Sequence, residues 1–342
     1  MKKVLKILSV GLCGTLALGA FAGFFGCGNE GKQEEEIIVC MPDGAPAMAL
    51  AGMMVGDTED DGVTYKVVDP SLIASNVTNT DEEKNADMCV LPVTAASKLL
   101  GKGDRYKMVG VVTHGNLFLI SKDGEVLTAE NLSDLRGKTV GVLKINEVPG
   151  LTLKAVLKKY EVPYVELVQG KNEEISAEKV NLKGISGPND IGVVEADCFL
   201  LAEPAATAQS KNGFTIAGNL QTLYGGENGY PQAVLVAKTE LLEERGEWVK
   251  SFTESVAQAA DWLKTARGAE VVSAISSPLA DKDYATTLKA PLLTAEVMAR
   301  CGVWFEAALD SKTEITAFLS DILAVNDKAA AMPAEVFYWN FV

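Results

Sequence analysis

The feature that most constrains this chain is a repeated unit in which a short apolar run ends in a Pro- or Gly-bearing loop and leads straight into a helix-forming stretch. Ile37-Ile38-Val39-Cys40-Met41 is apolar without clean alternation, the pattern of a strand buried on both faces. It stops at Pro42-Asp43-Gly44-Ala45-Pro46, and an Ala/Met/Leu stretch to about Val55 follows, with Pro46 suited to a first helical turn. The unit recurs where Asp87 to Leu91 runs into Pro92-Val93-Thr94 and a helical Ala95 to Leu100. Further strands are expected at Thr64 to Val68, Met108 to Val112 and Leu117 to Ile120, the last two around Thr113-His114-Gly115-Asn116.

After Ser121-Lys122-Asp123 the pattern restarts. Thr139 to Leu143 is a β run, and Lys144-Ile145-Asn146-Glu147-Val148-Pro149-Gly150 leads to an amphipathic stretch ending near Tyr160. Strands are expected at Tyr164 to Val168, Ile191 to Val194, Phe214 to Ala217 and Ala233 to Ala237, with a helix starting near Pro204. Gly184 to Asn189 is expected to be a loop, since it lacks phosphate-cradle spacing. The last third is expected to be helical: Trp248, Phe252, Val256, Ala259 and Leu263 mark one buried stripe, and Thr294 to Leu309 and Ile315 to Val325 give two more helices. Two α/β blocks followed by helices imply two lobes, with crossings at Ser121–Asp123 and Gln232–Ala233 and a ligand cleft between them. The expected division is 36–121 with 233–342 for the first lobe and 122–232 for the second.

The first 35 residues carry an address rather than a fold. Lys2, Lys3 and Lys6 precede an uncharged run from Ile7 to Phe25, 19 residues long. That order is expected of an export signal, and the length also permits a retained membrane helix. Phe24-Phe25-Gly26-Cys27 resembles a bacterial lipoprotein cleavage box, which makes 1–26 a signal peptide and Cys27 the lipidated residue. The polar stretch 27–35 then serves as a solvated tether. Either reading puts the folded part outside the cytoplasmic membrane.

Composition excludes several functions. The formal net charge is -15, and losing the leader lysines makes the chain more acidic still. Nucleic acid and anionic membrane surfaces want clustered Lys and Arg, so neither is an expected partner. A small anionic ligand stays open, because local backbone dipoles can outweigh net charge. With 48% hydrophobic and 23% charged residues, the chain is not disordered. Its single histidine, His114, and six cysteines without metal-type spacing predict no metal site; Cys40, Cys89 and Cys198 are expected as buried free thiols.

Candidate ligand contacts follow from position. Asp43, Gly44 and Ala45 precede a helix, where a glycine lets backbone N–H groups approach a ligand; the alternative is a tight turn with Asp43 as helix cap. Thr94 caps its helix or offers its hydroxyl. His114 is either a ligand contact or a loop histidine tied to backbone. Asn146 and Glu147 cap the next helix or reach ligand. Glu195, Asp197 and Glu203 place three carboxylates close in sequence, which suggests paired acid/base chemistry or, more simply, an acidic rim; no nucleophile elbow accompanies them. Tyr230 stacks on a flat ligand or packs beneath a crossing.

These pieces carry a resemblance. Asp43-Gly44-Ala45-Pro46, the run from Asn131 to Val142, Ala202-Glu203-Pro204-Ala205 and Gly229-Tyr230-Pro231-Gln232-Ala233-Val234-Leu235-Val236 resemble, in order and spacing, the extracytoplasmic solute-binding proteins of ABC importers. The likeness is to the bilobed type that includes nitrate-, sulfonate- and thiamine-precursor-binding members. The resemblance implies a two-lobed α/β periplasmic-binding-protein type 2 fold and a monomer without cofactor. It further implies that a small polar or heteroaromatic solute is caught between the lobes and passed to a membrane permease. It leaves open an enzyme on the same fold, of the pyrimidine- or menaquinone-pathway kind, and a sensor or adhesion lipoprotein.

Overall fold

The computed structural model describes residues 36–56, 62–168, 174–225 and 228–340. Cys27, the signal and the tether lie outside the described residues. Two six-stranded mixed sheets organise the rest.

The first sheet runs β12-β4-β11-β3-β1-β2. Its parallel core is β1 (Ile37–Pro42), β2 (Val63–Val68) and β3 (Met88–Pro92), as the unbroken apolar runs require. β4 (Tyr106–His114), β11 (Pro231–Lys238) and β12 (Val303–Ala307) complete it by antiparallel pairing. The second sheet runs β10-β5-β9-β6-β8-β7. It comprises β5 (Leu117–Ser121), β6 (Thr139–Leu143), β7 (Tyr164–Leu167), β8 (Val180–Ile185), β9 (Cys198–Ala202) and β10 (Thr215–Asn219).

Helices cover both sheets. α1 (Ala45–Leu50) and α2 (Val93–Leu100) follow β1 and β3. α3 (Val148–Lys159), α4 (Ala205–Ala208) and α5 (Leu220–Tyr224) serve the second sheet. α6 (Thr239–Leu263), α7 (Gly268–Ser276) and α8 (Ala295–Arg300) return to the first. The expected stripe on α6 is confirmed at Phe252, Val256, Ala259 and Leu263, all buried, whereas Trp248 packs at its margin. α9 (Lys312–Val325) lies along α3, and Tyr224 Oη donates to Asp321 on α9 at 2.7 Å. The C-terminal helix is thereby tied to second-sheet elements.

The structure departs from the sequence expectations in four places. β5 pairs with β9 and β10, so the chain passes between sheets at Gly115–Asn116 and returns just before Pro231, rather than at Ser121–Asp123 and Gln232–Ala233. Apolar runs flank Gly115–Asn116 on both sides, and nothing local says which sheet each joins. Ile191 to Val194 is not a strand but one isolated bridge, and the strand is Cys198–Ala202. The expected helix over Thr294 to Leu309 breaks at Gly302, whose φ is 66°, and the β-forming Val303-Trp304-Phe305 pairs with the open edge of β4. β8 was not expected, because Asn181, Lys183 and Gly184 dilute its apolar signal. Cys40, Cys89, Cys198 and Cys301 are buried free thiols, and burial raises all four above the usual thiol range.

Candidate functional site at the crossings between the sheets

Strand direction decides which residues share the crossings. In the first sheet β1, β2, β3 and β4 all end at one edge, and β11 and β12 begin there: Pro231 pairs with His114, and Val303 with Thr113. Asp43, Asp69, Thr94 and His114 therefore stand on that edge. In the second sheet β5 begins, and β6, β8 and β9 end, at the edge bearing Leu117, Leu143, Ile185 and Ala202. Lys144, Asn146, Glu147 and Glu203 stand there. Gly115–Asn116 joins the two edges, which is where strand-end ligands bind in α/β folds.

Glu195 is not among them. It lies three residues before β9, whose first residue pairs with Val140 near the start of β6, so it sits at the opposite end of the sheet. Asp197 is at that far end too, accepting from Thr139 N at 2.7 Å. The three carboxylates singled out in the sequence are thus separated by a strand and do not form an acid/base pair.

Asp43 is buried and fully engaged. Its carboxylate accepts from Thr286 Oγ1 at 2.6 Å, Thr287 N and Oγ1 at 2.7 Å each, and Tyr284 Oη at 3.1 Å. It does not cap α1, where Gly44 takes the cap position at φ 105°, a conformation that favours glycine. Asp43 instead fastens the 284–287 loop over the strand ends, and Ala45 is buried in the first-sheet core. Thr94 is buried in the first turn of α2, and its carbonyl accepts from Ser97 Oγ at 2.9 Å.

His114 ends β4 with its ring stacked on Trp304, centroids 3.6 Å apart and planes 7° from parallel. Nε2 lies 3.4 Å from Glu306 Oε2. Burial pulls its pKa down to about 3, against the opposing pull of the Gly302 carbonyl, so the ring is neutral near pH 7. Burial also raises the Glu306 carboxyl, with Glu314 and Asp310 adding to it. Tyr230 is buried beneath the crossing, stacked on Phe318 at 5.2 Å and edge-on to Tyr224. A Cβ on Gly115 would come within 2.5 Å of the Tyr230 ring, so this close approach needs glycine. The Tyr230 ring thus packs at the crossing against Phe318 and Tyr224.

Asn146 and Glu147 are exposed on the second edge. Glu147 precedes α3 without capping it through its side chain, and its carboxylate is 3.8 Å from Lys144 Nζ. Asp69, opposite, is held below the usual carboxylate range first by the Ser71 hydroxyl, with Lys144 contributing from the other lobe.

Two features carry no direct signal in the sequence: the partner of Glu203, and a set of unpaired polar atoms at the crossing. Glu203, buried at the end of β9, accepts from Arg300 Nε at 2.8 Å and from Thr207 N and Oγ1 at 3.0 and 2.6 Å. Arg300 closes α8, so this pair joins the two lobes. The second is a group of buried polar atoms that make no hydrogen bond: Thr113 Oγ1, His114 Nδ1, Asn116 Oδ1, Tyr230 Oη and Gln232 Oε1. All five belong to the crossing or to the facing ends of β4 and β11. Only the side-chain types Asn and Gln beside a sheet junction could have signalled it. Among the described residues no group of three or more His, Cys, Asp or Glu could hold a metal ion. A surface cavity of about 380 Å³ near Glu243, Arg245 and Trp339 lies on α6, away from the crossings.

No family model matches the chain, and no curated protein matches it. Solved structures do. An ABC transporter from Parabacteroides distasonis is 19% identical, with a TM-score of 0.65 over 89% of this chain and 98% of that one. The periplasmic aliphatic sulphonate binding protein of Escherichia coli is 13% identical, with a TM-score of 0.62 over 89% and 92%. The ligand-binding component of an ABC-type import system from Staphylococcus aureus, a zinc-bound structure, is 12% identical, with a TM-score of 0.53 over 89% and 98%. At these identities the likeness establishes the architecture: a two-lobed α/β fold of the type 2 periplasmic-binding-protein kind.

Proposed function

We propose that this chain is the solute-binding component of an ABC importer, holding a small polar or heteroaromatic molecule between its lobes and delivering it to a membrane permease. The observation that carries the reading is the meeting of two strand-end edges at Gly115–Asn116, with buried polar atoms there that no protein group satisfies. Leaving such atoms unpaired costs about 1–3 kcal/mol each. A bound solute would recover that cost, and one touching both lobes would favour the arrangement that brings the lobes together. The similar folds of proteins described as an ABC transporter and as the ligand-binding component of an ABC-type import system point the same way. Asn116 and Gln232 at the floor, Thr94 and His114 on one side, and Asn146 and Glu147 on the other are the proposed contacts, with Gly44 lining the first edge through its backbone.

We place the lobes at 36–115 with the return at Pro231, and the chain outside the cytoplasmic membrane, as a monomer anchored by lipid on Cys27. Among the described residues no helix is long and apolar enough to cross a membrane. Small-angle scattering across a solute library tests the function. Binding solutes should compact the protein, and a profile identical at saturation for every binder would contradict capture between moving lobes.

A further inference from the structure

The chemistry of the crossing bears on which solutes fit. The unpaired atoms there belong to a threonine and a tyrosine hydroxyl, two carboxamides and a neutral imidazole. Hydroxyls and carboxamides serve as donor or acceptor by rotation or by exchange of amide O and N, so none of them dictates one polarity. What they share is the lack of charge. A charged group buried against them would lose its hydration without gaining a counter-charge, which is far more costly than burying a neutral polar group.

The charged side chains nearby are already engaged. Arg300 is held by Glu203 and by Glu296, whose Oε1 is 2.6 Å from Nη1. Lys144 stands beside Glu147 and acts on Asp69. Asp43 has all its acceptor capacity directed at the 284–287 loop. The start of α3 lies behind the negative Glu147, which opposes an anion at that helix end.

We infer that the floor of the cleft, formed by Thr113, Asn116 and Gln232, selects the uncharged polar end of a solute carrying both hydrogen-bond donors and acceptors, and discriminates against oxyanions. A sugar hydroxyl pair, a lactam or a nucleobase edge has this chemistry; nitrate, sulfate and a sulfonate do not. The inference rests on the solute-capture reading and narrows it.

The test is a thermal-shift screen of the mature chain against uncharged metabolites and, in parallel, sodium nitrate, sodium sulfate and sodium methanesulfonate, with calorimetry on each binder. Uncharged compounds should bind with a Kd that barely changes with added salt. Asn116→Leu and Gln232→Leu should each weaken that binding about three- to tenfold, the loss of a neutral hydrogen bond. Because each removes an unpaired buried atom, the ligand-free melting temperature should hold or rise, which a purely structural amide would not allow. Binding of an oxyanion, weakened by those same substitutions, would overturn the selectivity while keeping solute capture. Binders unaffected by both substitutions would overturn the floor assignment. If neither class binds, the capture reading falls and the selectivity with it.

Discussion

Arg300 Nε donates to Glu203 Oε1 at 2.8 Å, and through that contact the last turn of α8 on the first lobe holds the end of β9 on the second. The Glu203 side chain has no solvent exposure, while Arg300 keeps about a quarter of its own. Arg300 Nη2 also donates to Thr207 Oγ1 at 2.7 Å, and the guanidinium lies 5.9 Å from the Phe118 ring of β5. This cluster is a polar tie between the lobes.

Removing the cation should therefore leave a buried carboxylate without its partner. Arg300→Met is expected to cost about 3 kcal/mol, the low end for a broken buried pair, because solvent reaches the arginine side. For a chain of this size that corresponds to a fall in melting temperature of several degrees. Glu203→Gln in the Arg300→Met background should recover part of the loss by removing the stranded charge. Calorimetric melting of the two variants checks both statements.

Asp43 should behave as a fastener rather than as a ligand contact. Asp43→Ala strands the Thr286 and Thr287 hydroxyls and the Thr287 amide, and each hydrogen bond to a charged group is worth about 1.5–3 kcal/mol. A marked loss of stability is expected, with protease cleavage appearing first in the 281–289 loop. Limited proteolysis with mass mapping would show it; cleavage elsewhere first would contradict the role.

Much of the fold was legible because buried parallel strands advertise themselves. β1, β3 and β6 fall within a residue of the apolar runs that announced them. The site was less legible, and Asp43 shows why. Sequence places it at a strand-to-helix junction, but its partners, Tyr284 to Thr287, lie more than 240 residues away. Glu195 differs for another reason: the apolar run before it forms only an isolated bridge, and the strand at Cys198–Ala202 leaves the residue at the far end of the sheet. Arg300 carried no local signal, since only packing brings α8 to β9.

His114 sets an acid response. Its folded pKa, about 3, is depressed by burial below the ordinary histidine value near 6.5. The stability it contributes is present above the unfolded value. As pH falls below about 6.5, the unfolded chain takes up a proton that folded His114 refuses, and stability declines until pH approaches 3. The loss at pH 5 amounts to about 2 kcal/mol. His114→Phe, which keeps a ring against Trp304, should flatten the stability profile between pH 7 and 4 in denaturant titrations; an unchanged slope would contradict the assignment.

Cys27→Ser should release the protein from the membrane fraction or block processing of its precursor. Cell fractionation with intact-mass measurement distinguishes these, and unchanged processing with unchanged membrane retention would argue for a retained helix instead of a lipid.

The most direct test of solute capture between the lobes is to purify the native mature chain and its Asn116→Leu variant from their own cells without denaturant, then release and weigh any small molecules. A single uncharged solute, close to one per protein in the parent and depleted in the variant, is the predicted result. Equal retention of the same molecule by both proteins would contradict a binding site at the crossing.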